Sequence, residues 1–250
     1  MSVWCLQSQV YGPEPRMEAA TSILWRNDVT TAIIGIGNIG GTVARELAAG
    51  GEKVVLSATK AEEVNRLAGE IGPAATPALD NRDAVQQSDA VVLALWLEPM
   101  QGVVEEIADL LPGKLVIDPS NPISVGADGT IARTLPDGLS AGEVVSGWLP
   151  EGTRFAKAFG TLPPQLLSTG ANRAPDHAVL FYATDDDATA TEVQRLIRIA
   201  GFDPVQAGGV SDSGRIEVGG DLHAFGGLNG RLVDAEEAET LVRGIAANPL

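Results

Sequence analysis

The stretch TAIIGIGNIGGTVARELAAGGEKVVLSATK, positions 31–60, constrains the fold more than any other part of the chain. A short β-branched run, Thr30–Ile34, enters Gly35-Ile36-Gly37-Asn38-Ile39-Gly40 without a spacer. Apolar residues then return at Val43 and Leu47, a four-residue step that places them on one helical face. Gly50-Gly51 stop that helix, and Lys53–Ser57 reads as a second strand. Strand, glycine turn, helix and strand in this order predict a dinucleotide-binding unit. The first glycine permits the tight turn, the second lets the backbone approach a pyrophosphate, and the third lets helix and strand pack closely. Gly35, Gly37 and Gly40 are therefore candidate cofactor-binding residues, with the helix N-terminus offering free N–H groups and partial positive charge.

The end of the second strand separates NAD from NADP. An NAD site places Asp or Glu about 20 residues after the first glycine, to hold the ribose hydroxyls. That distance falls on Val55, Leu56 and Ser57, none of them acidic. The chain continues Ser57-Ala58-Thr59-Lys60, with two hydroxyls and one cation. A carboxylate would repel a 2′-phosphate, whereas Ser57, Thr59 and Lys60 can donate hydrogen bonds to one. Ser57 and Thr59 could also cap the helix that follows. NADP is the expected dinucleotide.

The pattern continues beyond this unit. Ala61–Ile71 is predicted helical through Val64, Leu67 and Ile71, and Ala74–Ala78 is a weak strand. Ala90–Trp96 is the continuous apolar run of a strand covered on both faces. Val103–Leu111 is predicted helical, and Lys114–Asp118 is the next strand. This alternation predicts an α/β fold, a Rossmann doubly wound parallel sheet. Residues 123–140, rich in Gly, Pro and polar side chains, read as a long connection before a short helix at Ser140–Trp148. Phe155–Phe159, Ala178–Thr184 and Asp203–Gln206 read as strands, with a helix over Asp187–Gly201. The domain expectation is an N-terminal extension over 1–28, an NADP-binding Rossmann domain over 29–150 and a smaller C-terminal acceptor-side α/β unit over 151–250. The extension reads either as disordered or as partly preceding a start at Met17.

Composition removes several function classes. Lys and Arg total 17 against 33 Asp and Glu, a net charge of −16, which opposes binding to nucleic acid or to an anionic membrane. With one cysteine and two histidines, neither an intrachain disulfide nor a Cys- or His-rich metal cage is expected. The cytoplasm is the expected setting. The acidic run Asp185-Asp186-Asp187 lies between a strand and a helix, where carboxylates favour the helix N-terminus, and no metal is assigned to it.

With these residues in view, the chain resembles the family of NADP-dependent oxidoreductases of coenzyme F-420, a deazaflavin. The resemblance spans about residues 30 to 216 and rests on GIGNIGGTVARELAAGGEKVVLSATK, VVLALWLEPM, VIDPSNPIS, FAKAFGTLPP and AGGVSDSGRIE in that order. It implies that the glycine turn, Gly35, Gly37, Asn38 and Ile39, holds the pyrophosphate and that Ser57, Thr59 and Lys60 meet the 2′-phosphate. It further implies that Leu95 and Trp96 flank the ribose and nicotinamide and that Asn121 lies near the nicotinamide. Phe159, Gly160, Thr161, Leu162 and Pro163 would line the acceptor pocket, joined by a loop carrying Ser211 and Ser213. A homodimer is the expected assembly. The chain departs from the family pattern at Ala58, where arginine is common, and in the glycine-studded stretch VGGDLHAFGGLNGRLVDAEEAETLV, where an apolar helix is expected.

Hydride transfer between two heteroaromatic rings needs proximity and orientation more than an acid or base, and no Ser–His–Asp, Cys–His or Tyr–Lys set is evident. Reduction of a ketone or imine would want a proton donor, for which His177, His223, Tyr182 and Asp212 are the candidates. His223 is the preferred catalytic candidate among them, because glycine-rich loops often close over substrates. The expected function is hydride transfer between NADP(H) and a planar acceptor, coenzyme F-420. The alternatives are an NADPH-dependent reductase of a small imine, ketone, flavin or metal chelate, and a non-catalytic NADP-binding redox sensor.

Overall fold

A computed structural model describes residues 29–246, so the expected N-terminal extension lies outside the described residues. Strand β1 (Thr30–Ile34), helix α1 (Asn38–Ala49) and strand β2 (Lys53–Ser57) form where the glycine pattern places them. They are followed by α2 (Ala61–Ile71), β3 (Ala75–Pro77), α3 (Asn81–Gln86), β4 (Ala90–Leu93), α4 (Leu97–Ile107) and β5 (Leu115–Asp118). A hairpin, β6 (Ile123–Val125) and β7 (Ile131–Arg133), precedes α5 (Ala141–Trp148) and β8 (Arg154–Lys157). Then come α6 (Pro164–Gly170), β9 (Val179–Ala183), α7 (Asp187–Ile199), β10 (Asp203–Gly208), a 3-10 segment at Val210–Ile216 and α8 (Ala235–Ala246).

Eight strands make one sheet in the order β10-β9-β8-β5-β4-β1-β2-β3. All neighbouring pairs are parallel except β8 and β9, which meet antiparallel at Lys157 and Ala183. The doubly wound parallel α/β architecture is thus as expected, and β8, β9 and β10 extend the same sheet past residue 150. Side chains alternate between its faces. Ile33, Leu56, Val92, Ile117 and Leu180 pack against α1, α2, α6 and α7. Ala32, Ile34, Val55, Val91 and Val116 pack against α3, α4 and α5. Val179 and Phe181 of β9, which alternate with Leu180 and Tyr182, are covered by α8 and the loop before it.

Three differences from the sequence expectations have local causes. Residues 123–140 hold a hairpin within the expected connection, paired from Ile123 to Arg133. Helix α4 starts at Leu97, after Trp96, and takes Pro99 in its first turn, where proline's missing N–H costs nothing. β4 accordingly ends at Leu93. The β8 strand ends at Lys157, short of Phe159, because Phe159 adopts a left-handed backbone with φ 65°.

Candidate active site

The glycine turn is built as the sequence argument requires. Gly35 adopts φ 88° and its N–H bonds the Ser57 carbonyl at 2.8 Å, tying the turn to β2. A Cβ on Gly35 would strike the Ala94 carbonyl, and a Cβ on Gly40 would strike the Gly35 carbonyl, so both positions are closed to side chains. Gly37 differs: nothing lies within 4 Å of where its Cβ would be. It precedes α1, whose N-terminus has no side-chain cap and no acidic residue in its first turn. Asn38 is exposed and Ile39 half-buried at that end. An open space against an uncapped, acid-free helix N-terminus offers room, free N–H groups and partial positive charge to an anion.

At the end of β2 the three expected 2′-phosphate residues are placed unequally. Ser57 is buried and its hydroxyl donates to Asn81 Oδ1 at 2.8 Å. Asn81 in turn donates to Glu106 Oε2 at 3.1 Å. Thr59 is exposed, and Lys60 Nζ is exposed and pairs with Glu63 Oε1 at 2.9 Å. Neither Ser57 nor Thr59 caps α2, since its N-cap is Lys60 without a side-chain bond. The cation at this corner is already shared with a carboxylate. No motif in the sequence marks Glu63 or Asn81 as a partner of this corner.

Leu95 and Trp96 follow β4. The Leu95 Cδ2 would be 2.8 Å from a Gly35 Cβ, which sets it against the glycine turn. Trp96 is 57% exposed and so lies outside the buried strand that the apolar run Ala90–Trp96 predicts. An exposed indole beside the turn is available to a ligand.

On the other side, the turns after β5 and β8 meet backbone to backbone. A Cβ on Gly160 would come within 2.5 Å of the Pro119 carbonyl oxygen. Asn121 spans this junction: its Nδ2 donates to Gly160 O at 3.1 Å and its Oδ1 accepts from Val218 N at 2.7 Å. Phe159 and Leu162 are buried in the hydrophobic core, so they shape the turn from behind and expose no ring or chain to a pocket. Pro163 is half-buried at the start of α6. Thr161 is buried, and its hydroxyl has no partner; the buried Ser120 hydroxyl is likewise unpartnered among the described residues.

Beneath the junction lies a charge cluster absent from the sequence argument. Lys157 Nζ, buried, donates to Asp118 Oδ2 at 2.7 Å and to Ser120 O at 2.5 Å, and stands 3.3 Å from Glu217 Oε1. Glu217, also buried, accepts from the N–H groups of Ala141 and Gly142 at 3.0 and 2.9 Å. One ammonium and a helix N-terminus therefore satisfy two buried carboxylates. A lysine within the apolar strand RFAK was the available sequence signal. Its partners lie 39 and 60 positions away, beyond any local pattern.

The remaining candidates fall into structural roles. Ser213 is buried, donates to Val210 O at 2.6 Å and packs on Gly142, while Ser211 is exposed. His223 does not stand ready as a proton donor. Its Nε2 meets Gly160 O at 3.0 Å, its Nδ1 accepts from Phe225 N at 2.8 Å, and burial pushes its pKa down to about 4. Those bonds fix a neutral ring protonated on Nε2. Asp212 accepts from Gly209 N, and the Tyr182 hydroxyl accepts from Gln194 at 2.6 Å. Burial raises the Tyr182 pKa. His177 is half-exposed beside Asp203 at 3.5 Å, on the outer end of the sheet. Asp186 caps α7 through Thr189 N at 2.7 Å, and Asp185 accepts from Val210 N at 2.8 Å.

Comparison with known proteins places these features in context. Residues 30–122 match the family model described as NADP oxidoreductase coenzyme F420-dependent. The F420-dependent NADP reductase of Methanothermobacter thermautotrophicus is 25% identical over 191 residues, which cover 73% of this chain and 82% of that protein. A hypothetical protein of Sinorhizobium meliloti superimposes with a TM-score of 0.72 at 27% identity, covering 84% of this chain and 97% of that one. A putative F420-dependent NADP-reductase from Arthrobacter sp. FB24 gives a TM-score of 0.63 at 22% identity, covering 72% and 85%. At that identity the likeness speaks for the fold alone.

Proposed function

We propose that the chain, which over residues 30–122 matches the model of NADP-dependent coenzyme F-420 oxidoreductases, transfers a hydride between NADP(H) and the deazaflavin coenzyme F-420. In this reading the dinucleotide supplies the hydride from its nicotinamide ring. The backbone of Gly35, Gly37, Asn38, Ile39 and Gly40 would hold the pyrophosphate, which the open space at Gly37 supports. Lys60 and Thr59 would hold the 2′-phosphate, and Ser57 would donate to it only by sharing or giving up its bond to Asn81. Leu95, Trp96 and Asn121 would border the ribose and nicotinamide. The unpartnered hydroxyls of Ser120 and Thr161 are free to bond polar groups of the cofactor or acceptor. We further assign the protein a homodimeric, cytoplasmic form.

One observation carries the choice of acceptor. A ketone or imine needs a proton at its reacting heteroatom, whereas a planar deazaflavin accepts hydride at a ring carbon. The four candidate donors, His177, His223, Tyr182 and Asp212, are each committed or remote, and the one nearest Asn121 is held neutral with both ring nitrogens bonded. In this reading the site need only orient two rings, and proton delivery is left to solvent. The test mixes purified protein with NADPH and coenzyme F-420 and follows deazaflavin absorbance. Bleaching that depends on enzyme supports the reading. Unchanged absorbance, with NADPH binding intact by calorimetry, refutes the acceptor.

A further inference from the structure

The glycine-studded loop between the 3-10 segment and α8 is tightly built. A Cβ on Gly220 would strike the carbonyls of Arg215 and Gly214, one on Gly226 the carbonyl of Gly220, and one on Gly227 the carbonyl of Asp221. The loop backbone bonds itself at Gly219 N to Phe225 O, Gly227 N to Gly220 O and Gly230 N to Ala224 O, at 2.8 to 3.0 Å. Ala224 N also bonds Thr161 O at 3.0 Å, joining the loop to the turn after β8. Leu222, Ala224 and Leu228 are buried. Glycine here serves close packing, and the loop is not a slack lid.

One side chain contradicts that economy. Phe225 is 55% exposed, although both its backbone N–H and its carbonyl are bonded. Its ring centroid lies 6.0 Å from that of His223, which rests on the Gly160 carbonyl shared with Asn121. With Trp96, it is one of two aromatic side chains more than half exposed among the described residues. A large ring left in water on a well-fixed backbone has the properties of a binding anchor: wide contact area and little entropy left to lose. We infer that Phe225 is the aromatic wall of the acceptor side, against which the planar ring of the acceptor stacks, and that it selects planar heteroaromatic acceptors over small aliphatic ones. This rests on the reading of the cleft as a hydride-delivery site. The residue belongs to the segment that departs from the family pattern, so no family role carries over to it.

The test compares wild type, Phe225→Ala and Phe225→Tyr with NADPH saturating and coenzyme F-420 varied, alongside calorimetric NADPH binding and sedimentation. Losing one stacked ring is expected to raise the acceptor KM about tenfold in Phe225→Ala, while Phe225→Tyr stays near wild type. NADPH affinity and molecular mass are expected to be unchanged. An unaltered acceptor KM overturns the inference, as does a change in mass alone, which would make Phe225 a subunit contact. If wild type binds NADPH but does not reduce F-420, the acceptor reading fails, and the same variants are assayed with FMN. A raised KM for FMN in Phe225→Ala keeps the aromatic wall. Turnover of neither planar compound overturns it too.

Discussion

The glycine turn after β1 and the junction of the turns after β5 and β8 are built by opposite means. In the glycine turn, a run of six residues builds the approach to α1 from backbone, and each glycine's task can be read from what its missing Cβ would touch. At the junction, the framework is a set of buried and half-buried side chains joined across the chain: Asp118 to Lys157, Gly142 to Glu217, Asn121 to Val218 and Gly160 to His223. A backbone turn is specified locally and survives wide change elsewhere. A buried polar network exists only when every member is present, because each lone charge or carbonyl is costly in low dielectric. The difference teaches where the chain can vary: the glycine turn is fixed by geometry, the junction by mutual satisfaction.

The comparison can be broken most forcefully at Lys157. Replacing it by Met leaves Asp118 and Glu217 facing each other without a counter-ion, and unfolding in urea is expected to show a loss of about 3–5 kcal/mol. A loss below about 1 kcal/mol would mean the cluster does not hold the junction together. The next effect is pH-dependent. His223 has a folded pKa of about 4 against an unfolded value of 6.5, so between these values the unfolded chain binds more protons. Its contribution to stability is complete above about pH 6.5 and is lost as pH falls toward 4, by roughly 3 kcal/mol in total. Wild type should therefore lose more stability than His223→Asn over that window, and parallel curves would remove the assignment.

In the glycine turn, Gly37→Val should leave the melting temperature near wild type, because its side chain enters open space. NADPH affinity should fall at least about a hundredfold by calorimetry. Gly40→Ala should behave inversely, destabilising by about 1–3 kcal/mol as its methyl meets the Gly35 carbonyl. The smallest effects lie at the 2′-phosphate corner. Lys60→Ala should weaken NADPH about tenfold and NADH hardly at all, whereas Glu63→Gln should tighten NADPH about twofold by releasing Lys60. Equal losses for both dinucleotides would exclude Lys60 from phosphate recognition.

This asymmetry also explains what the sequence disclosed. The β1–α1–β2 unit was legible because strand, glycines and helix period are contiguous, and its predicted bounds match the structure. Helices α3 and α6, of six and seven residues, are too short for a periodic signal to emerge. The β6–β7 hairpin did leave a mark: Asp128-Gly129 stands between Ile123, Val125 and Ile131, a turn signal hidden by the surrounding glycine and proline. Asn121 and the FGT turn were found through the resemblance, but Lys157, Asp118 and Glu217 were not assigned. Their chemistry depends on pairs distant in sequence, and a single lysine in a strand does not announce its partners. His223 was legible as a residue of interest and not in its role, since the loop's glycines suggested mobility where the structure shows packing.

The most direct test of the central claim, hydride delivery to a planar acceptor without a protein proton donor, is a single-turnover reaction. NADPH carrying deuterium at the transferable C4 position is mixed with protein and coenzyme F-420 over pH 6 to 8. The account predicts deuterium recovered in the reduced deazaflavin and a transfer rate that does not vary with pH. Loss of the label to solvent, or a rate that follows one protein ionisation across that range, would contradict it.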